Sequence, residues 1–162
     1  MIILKNAAIK QKIVRLAYQM AEENFDAKEL VLLGINNNGW RFAQLLARSL
    51  EVVMPGRIVL SRLRLNPAKP NQEDVRLDME VGALRGKTIV VVDDVANTGR
   101  TLFYATKPLM EVVPAKVQMA VLVDRMHKSF PVHVDFVGMS LATTIQDHIE
   151  VELGRSYSVA LT

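Results

Sequence analysis

Ile89-Val90-Val91-Val92-Asp93-Asp94-Val95-Ala96-Asn97-Thr98-Gly99-Arg100-Thr101 is the stretch from which the rest of the chain can be read. Four β-branched apolar residues in a row suit a strand buried on both faces. The run ends on two adjacent carboxylates. A short loop with Thr98, Gly99 and Thr101 then opens a helix from about residue 99. Backbone N–H groups in such a loop bind phosphate, Gly99 lets the backbone come close, and the two threonine hydroxyls donate to the same anion. Carboxylates would repel that phosphate, but they accept hydrogen bonds from sugar hydroxyls one ribose length away. Together the parts predict a site for a ribose 5-phosphate. Three plainer readings explain less. A magnesium-binding acidic pair of the receiver type should follow the first strand, and it leaves residues 98–101 without a role. A simple helix cap by Thr98 leaves the carboxylates unexplained. A dinucleotide fold would need G-x-G-x-x-G, which the chain lacks.

Toward the N-terminus, Ile9, Ile13, Leu16, Ala17 and Met20 fall at helical spacing within residues 7–24. Residues 30–33 form an apolar run before Gly34, a buried strand, and residues 40–50 return to helical spacing. Residues 57–65 read as a strand whose second half alternates, with Arg62 and Arg64 on one face and Leu63 and Leu65 on the other. Residues 66–81 hold two prolines and many polar side chains, the composition of a long, mobile lid. Toward the C-terminus, Pro108 should kink or shorten the helix that follows the motif. Residues 115–123, 132–137 and 149–153 read as strands, and residues 157–161 as a last one. Strands alternating with helices predict an α/β fold: a mainly parallel twisted sheet with helices on both faces. Ligands of such sheets bind beyond the carboxyl ends of the strands, which singles out residues 34–39, 93–101 and 124–127.

The chain has 162 residues, half of them apolar and 23% charged, enough for a sizeable core in one domain. It has no cysteine, so disulfides, thiolate metal sites and cysteine nucleophiles are excluded. Three histidines supply a multi-histidine metal centre poorly. No run is long enough for a membrane span, and the apolar N-terminus is too short for a signal peptide, so a cytoplasmic protein with no membrane partner is expected. A net charge of +3, with a pI near 9.3, permits phosphates and RNA without demanding either.

The motif at residues 89–101 resembles, almost throughout, the signature for 5-phosphoribosyl-1-diphosphate (PRPP) of the type I phosphoribosyltransferases. Residues 122–138, Leu-Val-Asp-Arg-Met-His-Lys-Ser-Phe-Pro-Val-His-Val-Asp-Phe-Val-Gly, are similar to the region after that motif in the bifunctional pyrimidine operon attenuator/uracil phosphoribosyltransferase family. The first helix, with Ala8, Ile9 and Arg15, is similar too, and the likeness covers roughly residues 4–153. It implies a type I phosphoribosyltransferase fold with a flexible lid loop and a small hood, in a single domain over residues 1–162. It implies transfer of the phosphoribosyl group to a nucleobase, uracil or another pyrimidine, with release of diphosphate. The implied cofactor is Mg²⁺, and the implied setting is pyrimidine salvage. The implied partners are PRPP and a nucleobase or nucleoside monophosphate, in a homo-oligomer.

By the same resemblance Asp93 and Asp94 hold the ribose hydroxyls, with Asp94 beside the developing cation, and Val95, Ala96, Asn97, Thr98, Gly99, Arg100 and Thr101 hold the 5′-phosphate. Asn36, Asn37, Asn38 and Gly39 occupy the diphosphate loop, where the family's basic positions are Asn36 and Asn38 here. The plainer reading of that loop is an Asn-Gly turn. Arg62 keeps the position of a catalytic arginine, but two acids that usually follow it are missing; a solvated strand face is the alternative. Asp124, Arg125 and Ile145 should meet the nucleobase, with core packing the alternative for Ile145. His127 and His133 receive no role, and no residue is assigned as a metal ligand. A second reading is an RNA-binding attenuator using Lys5, Lys10, Lys12 and Arg15. RNA is the disfavoured partner, because that charge is modest and Val14 and Tyr18 interrupt it. A third is a catalytically weak nucleotide-binding paralogue.

Overall fold

The computed structural model describes residues 1–162. In chain order they form β1 (Ile2–Leu4), α1 (Asn6–Glu23), β2 (Glu29–Ile35), α2 (Asn36–Val53), β3 (Arg57–Arg64), β4 (Arg76–Leu77), β5 (Thr88–Ala96), α3 (Arg100–Ala105), β6 (Lys116–Arg125), β7 (Phe136–Leu141), β8 (Ile149–Leu153) and β9 (Tyr157–Leu161). Single 3₁₀ turns cover Val81–Leu84 and Lys107–Glu111. No helix is long and apolar enough to cross a membrane.

The apolar runs become the central strands because both their faces are covered. In β2, Leu30 and Leu32 face α1 and α2, while Val31, Leu33 and Ile35 face the opposite layer. In β5, Val90 and Val92 divide from Ile89 and Val91 in the same way. The core toward α1 and α2 holds 26 buried residues against 14 on the other side, so the second layer is thin: α3, the two 3₁₀ turns and the lid.

The main sheet has the order β4-β3-β2-β5-β6-β7, with β4 alone antiparallel. The chain leaves β2 for β3 on one side, and β5 for β6 on the other. The strand order therefore reverses between β2 and β5, where a crevice opens beyond the strand ends. Gly34 of β2 pairs with Val92 of β5 in the last rung of that register, so Asn36 and the Asp93-Asp94 pair emerge side by side.

The two chain ends build a second sheet, β1-β9-β8, entirely antiparallel. It forms the hood. Ile149, Val151, Leu153 and Val159 join the same core as α1 and α2. The contribution of β1 is invisible locally, since three apolar residues make no strand without β9 beside them.

Three expectations shift, and a fourth is met. The helix expected over residues 40–50 begins at Asn36, so the expected diphosphate loop is the first turn of α2. The strand expected over residues 132–137 starts at Phe136, because the Asp135 carboxylate accepts from the Met119 N–H (2.8 Å) and fixes where the ladder can begin. The lid expected over residues 66–81 is interrupted by β4, whose Leu77 pairs with Leu63 and packs on the thin-side core. The helix after the motif ends at Ala105, and Pro108 follows inside a 3₁₀ turn, the shortening that a helix-breaking proline predicts.

Candidate active site

β5 runs on as far as Ala96 and carries both acids within it. Asp93 is buried, at 8% exposure, while Asp94 is half-buried. Asp93 Oδ1 accepts from the Asp94 N–H at 2.9 Å, and Asp94 Oδ1 accepts from the Val95 N–H at 2.9 Å. Burial pushes the Asp93 carboxyl well above the usual carboxylate range, and the neighbouring Asp94 charge pushes the same way.

The first turn of α2 sits directly on this strand end. Gly39 makes that approach possible: a Cβ there would lie 2.6 Å from the Val92 carbonyl oxygen and 3.3 Å from Asp93 Oδ1. Asn36 opens the helix with φ of 52°, a left-handed conformation that asparagine tolerates better than most residues. Its Oδ1 accepts from the Leu65 N–H (3.1 Å), tying the turn to the base of the lid. The Asn38 amide donates to Asp94 Oδ2 (2.9 Å) and to the Val151 carbonyl of the hood (3.2 Å). The side chains of Asn36 and Asn38, two of the three asparagines of the expected diphosphate loop, are thus engaged within the chain. A hollow of about 470 Å³ joins these elements, lined by Asn36, Asn37, Asn38, Asp93 and Asp94 with Pro67 and Ile149.

Residues 95–101 line an adjoining hollow of about 380 Å³ together with Pro67. Gly99 has φ of 87°, and an added Cβ would sit 2.5 Å from Val132 Cγ2. The Thr98 carbonyl accepts from the N–H groups of Ser129 (2.9 Å) and Phe130 (3.2 Å), so residues 128–132 brace the loop from behind. Arg100 donates to the Pro67 carbonyl at 2.7 Å and links the loop to the lid.

Beyond β6, a third hollow of about 320 Å³ is lined by Asn97, Thr98, Arg125, His127, Thr143 and Ile145, among others. Arg125 is pinned by the Thr143 hydroxyl (2.6 Å), the Thr144 carbonyl (2.6 Å) and Asn97 Oδ1 (3.3 Å). The backbone N–H and hydroxyl of Thr144 hold the Asp147 carboxyl below its usual range and close that loop on itself. Ile145 is fully exposed at the rim. Asp124 turns to an ion pair with Lys128 at 2.6 Å, and Lys128 also donates to the Arg125 carbonyl.

Arg62 does not join the acid pair. Its guanidinium lies over the Trp40 ring, 5.1 Å from the centroid, in a separate hollow with Ser61, Arg64 and Asp78. Arg64 makes a bidentate pair with Asp78 that keeps the Asp78 carboxyl below its usual range. Arg64 also lines a hollow under the lid with Asn36, Asn37, Arg76, Glu73 and Asp74. The lid residues Pro67, Glu73, Asp74 and Arg76, and the hood residue Ile149, line these hollows although no motif marked them. Each reaches the site through a long-range chain return that leaves no local pattern.

The chain matches the phosphoribosyl transferase domain family over residues 2–155. It is 32% identical over 161 residues to the bifunctional protein PyrR of Bacillus pumilus, covering 94% of this chain and 89% of that one. To the bifunctional protein PyrR of Listeria welshimeri it is 35% identical over 163 residues, covering 94% and 88%. Among solved structures, a hypoxanthine-guanine phosphoribosyltransferase of Bacillus anthracis superposes with a TM-score of 0.78 at 20% identity, covering 99% and 96% of the two chains. The hypoxanthine phosphoribosyltransferase of Trypanosoma cruzi gives 0.81 at 18% identity, covering 99% and 94%. These two likenesses concern the fold.

Proposed function

The chain belongs to the phosphoribosyl transferase domain family, and from that premise we propose that its site binds PRPP and transfers the phosphoribosyl group to uracil or another pyrimidine, releasing diphosphate. The observation that carries this reading is the contiguity of the acid pair and the residue 95–101 loop, which line adjoining hollows and share Pro67 and Asn97 with their neighbours. Asp93 and Asp94 meet the ribose hydroxyls, and the loop N–H groups and the threonine hydroxyls meet the 5′-phosphate. The base nitrogen forms a bond to the anomeric carbon as the bond to the diphosphate oxygen breaks; the electron pair leaves with diphosphate, and the proton of that base nitrogen is released to the departing diphosphate or to water. Asp94 lies beside the positive charge that builds on the sugar in such a transfer. The base lies against Arg125, whose three contacts fix it before any ligand arrives.

The leaving group meets a modest charge. Arg64 and Arg76 line the hollow under the lid, and Arg64 is already paired with Asp78. Arg62 reaches this region only by leaving Trp40. Glu73 and Asp74 line the same hollow and supply the carboxylate oxygens that would help hold a Mg²⁺ ion brought in with the substrate. Such an ion would offset charge on the departing diphosphate.

The relatives' name, bifunctional, carries a second role, and we place it behind the first. On α1, Lys10 is exposed, but Val14 and Tyr18 are exposed beside it, and Arg15 already donates to the carbonyls of Val137 and Gly138. The expected assembly is a homo-oligomer acting in cytoplasmic pyrimidine salvage.

Turnover with PRPP and a panel of nucleobases, beside calorimetry with uridine monophosphate, PRPP and diphosphate, tests the reading. The monophosphate should bind well and diphosphate comparatively poorly. Asp94→Asn should lose most of the turnover while keeping the fold. Absence of monophosphate binding, or an Asp94→Asn variant with full turnover, refutes the assignment.

A further inference from the structure

We infer that Asn38 is a positioning residue: its side-chain amide aims the Asp94 carboxylate and locks the edge of the hood to it. This deepens the proposed function and rests on its reading of Asp94.

A primary amide has two N–H donors that point apart. Asn38 uses them on two acceptors from distant parts of the chain: Asp94 Oδ2 at 2.9 Å, 56 residues away, and the Val151 carbonyl at 3.2 Å, 113 residues away. The other carboxylate oxygen of Asp94 accepts from the Val95 N–H. Each Asp94 oxygen therefore has a protein donor, and the carboxylate plane is set before any sugar arrives.

The hood needs the same contact. In β8 the edge away from β9 carries carbonyls that no strand pairs. Two residues of α2, one helical turn apart, take them: Asn38 donates to Val151 O, and Arg41 Nε donates to Leu153 O at 2.9 Å. The spacing matches, since alternate residues of a strand send their carbonyls to the same edge. Arg41 is tied to the hood alone. Asn38 is tied to both hood and carboxylate, so movement of the hood is felt at Asp94 through one side chain.

An amide is the fitting group at this position. An aspartate of the same shape would set a third carboxylate beside Asp93 and Asp94, and it would face Val151 O with an acceptor. The role also separates Asn38 from Asn36, which uses its oxygen on the lid.

The test is a double-mutant cycle of Asn38→Ala with Asp94→Asn, read by urea unfolding and by calorimetric affinity for uridine monophosphate. Arg41→Ala with Asp94→Asn is the parallel cycle for the hood tether. Asn38→Ala should weaken the monophosphate on the order of tenfold, the effect of losing one charge-assisted contact at a half-exposed site. Combined with Asp94→Asn, it should cost little more than Asp94→Asn does alone. Arg41→Ala, which touches the hood alone, should couple to Asp94→Asn far more weakly than Asn38→Ala does in both readouts. Asn38→Asp should bind the monophosphate more weakly than Asn38→Ala, although it preserves shape. Additive Asn38 and Asp94 effects on binding, an Asn38→Asp variant with wild-type affinity, or an Arg41→Ala cycle as coupled as that of Asn38 would each overturn the positioning role. If the wild-type chain binds monophosphate normally in those cases, only this inference falls. A wild-type chain that binds none refutes the site reading, and the positioning role with it.

Discussion

Replacing Asp93 with asparagine should stabilise the ligand-free protein at neutral and alkaline pH while weakening its ligand binding. The Asp93 carboxyl is 8% exposed, and its Oδ1 accepts one hydrogen bond, from the Asp94 N–H at 2.9 Å. Asparagine keeps that acceptor and removes the charge. Burial, and then the Asp94 charge, raise the Asp93 carboxyl well above its ordinary value of 3.8. For a group raised in the folded state, the stabilisation is complete below the unfolded value and is lost as pH rises through the folded one. Wild-type stability should therefore fall over that rise, and the Asp93→Asn variant should not share the loss. Relieving a functional strain of this kind yields on the order of 1 kcal/mol. In a domain of this length that corresponds to roughly 2–4 °C in melting temperature. Scanning calorimetry of both proteins from pH 4 to pH 8.5 should show curves that meet at the acid end and separate toward the alkaline end. The variant should lie above the wild type, and uridine monophosphate should protect it less. A variant melting below the wild type at pH 8, or a gap independent of pH, refutes the claim that Asp93 is held at an energetic cost for its role in the site.

Two further outcomes follow from the loops. Gly99→Ala should lose about 1–3 kcal/mol in denaturant unfolding, since φ is 87° and the new Cβ meets Val132 Cγ2 at 2.5 Å; adding Val132→Ala should recover the steric part and leave the backbone strain. A glutamyl endopeptidase should cut first at exposed Glu73 in the lid, and PRPP should slow that cut; cleavage that begins elsewhere, or is unchanged by PRPP, counts against the lid.

Local pattern was enough for everything that one segment specifies alone. The run from Ile89 to Val92 declares a strand because four β-branched apolar residues in a row suit little else. The pair and loop that follow predict a sugar-phosphate site from one continuous segment, and the structure sets them on one strand end and the loop after it, lining adjoining hollows. β8 and β9 were readable from their apolar residues, and the shortened α3 from Pro108. What the tertiary structure alone decided is where distant segments meet. Residues 36–39 read as a loop, but packing against Val92 and Asp93 winds them into the first turn of α2. Arg62 sits in sequence where a catalytic arginine is expected, yet the Trp40 ring, brought beside it by α2, takes its guanidinium. Ile2–Leu4 become a strand only because β9 returns beside them, 155 or more residues later. In the sequence Asn38 stands where the resembled family carries a basic residue. Its two partners lie 56 and 113 residues away, and a contact at that separation is fixed by the closing of the fold, which leaves no periodicity in the chain.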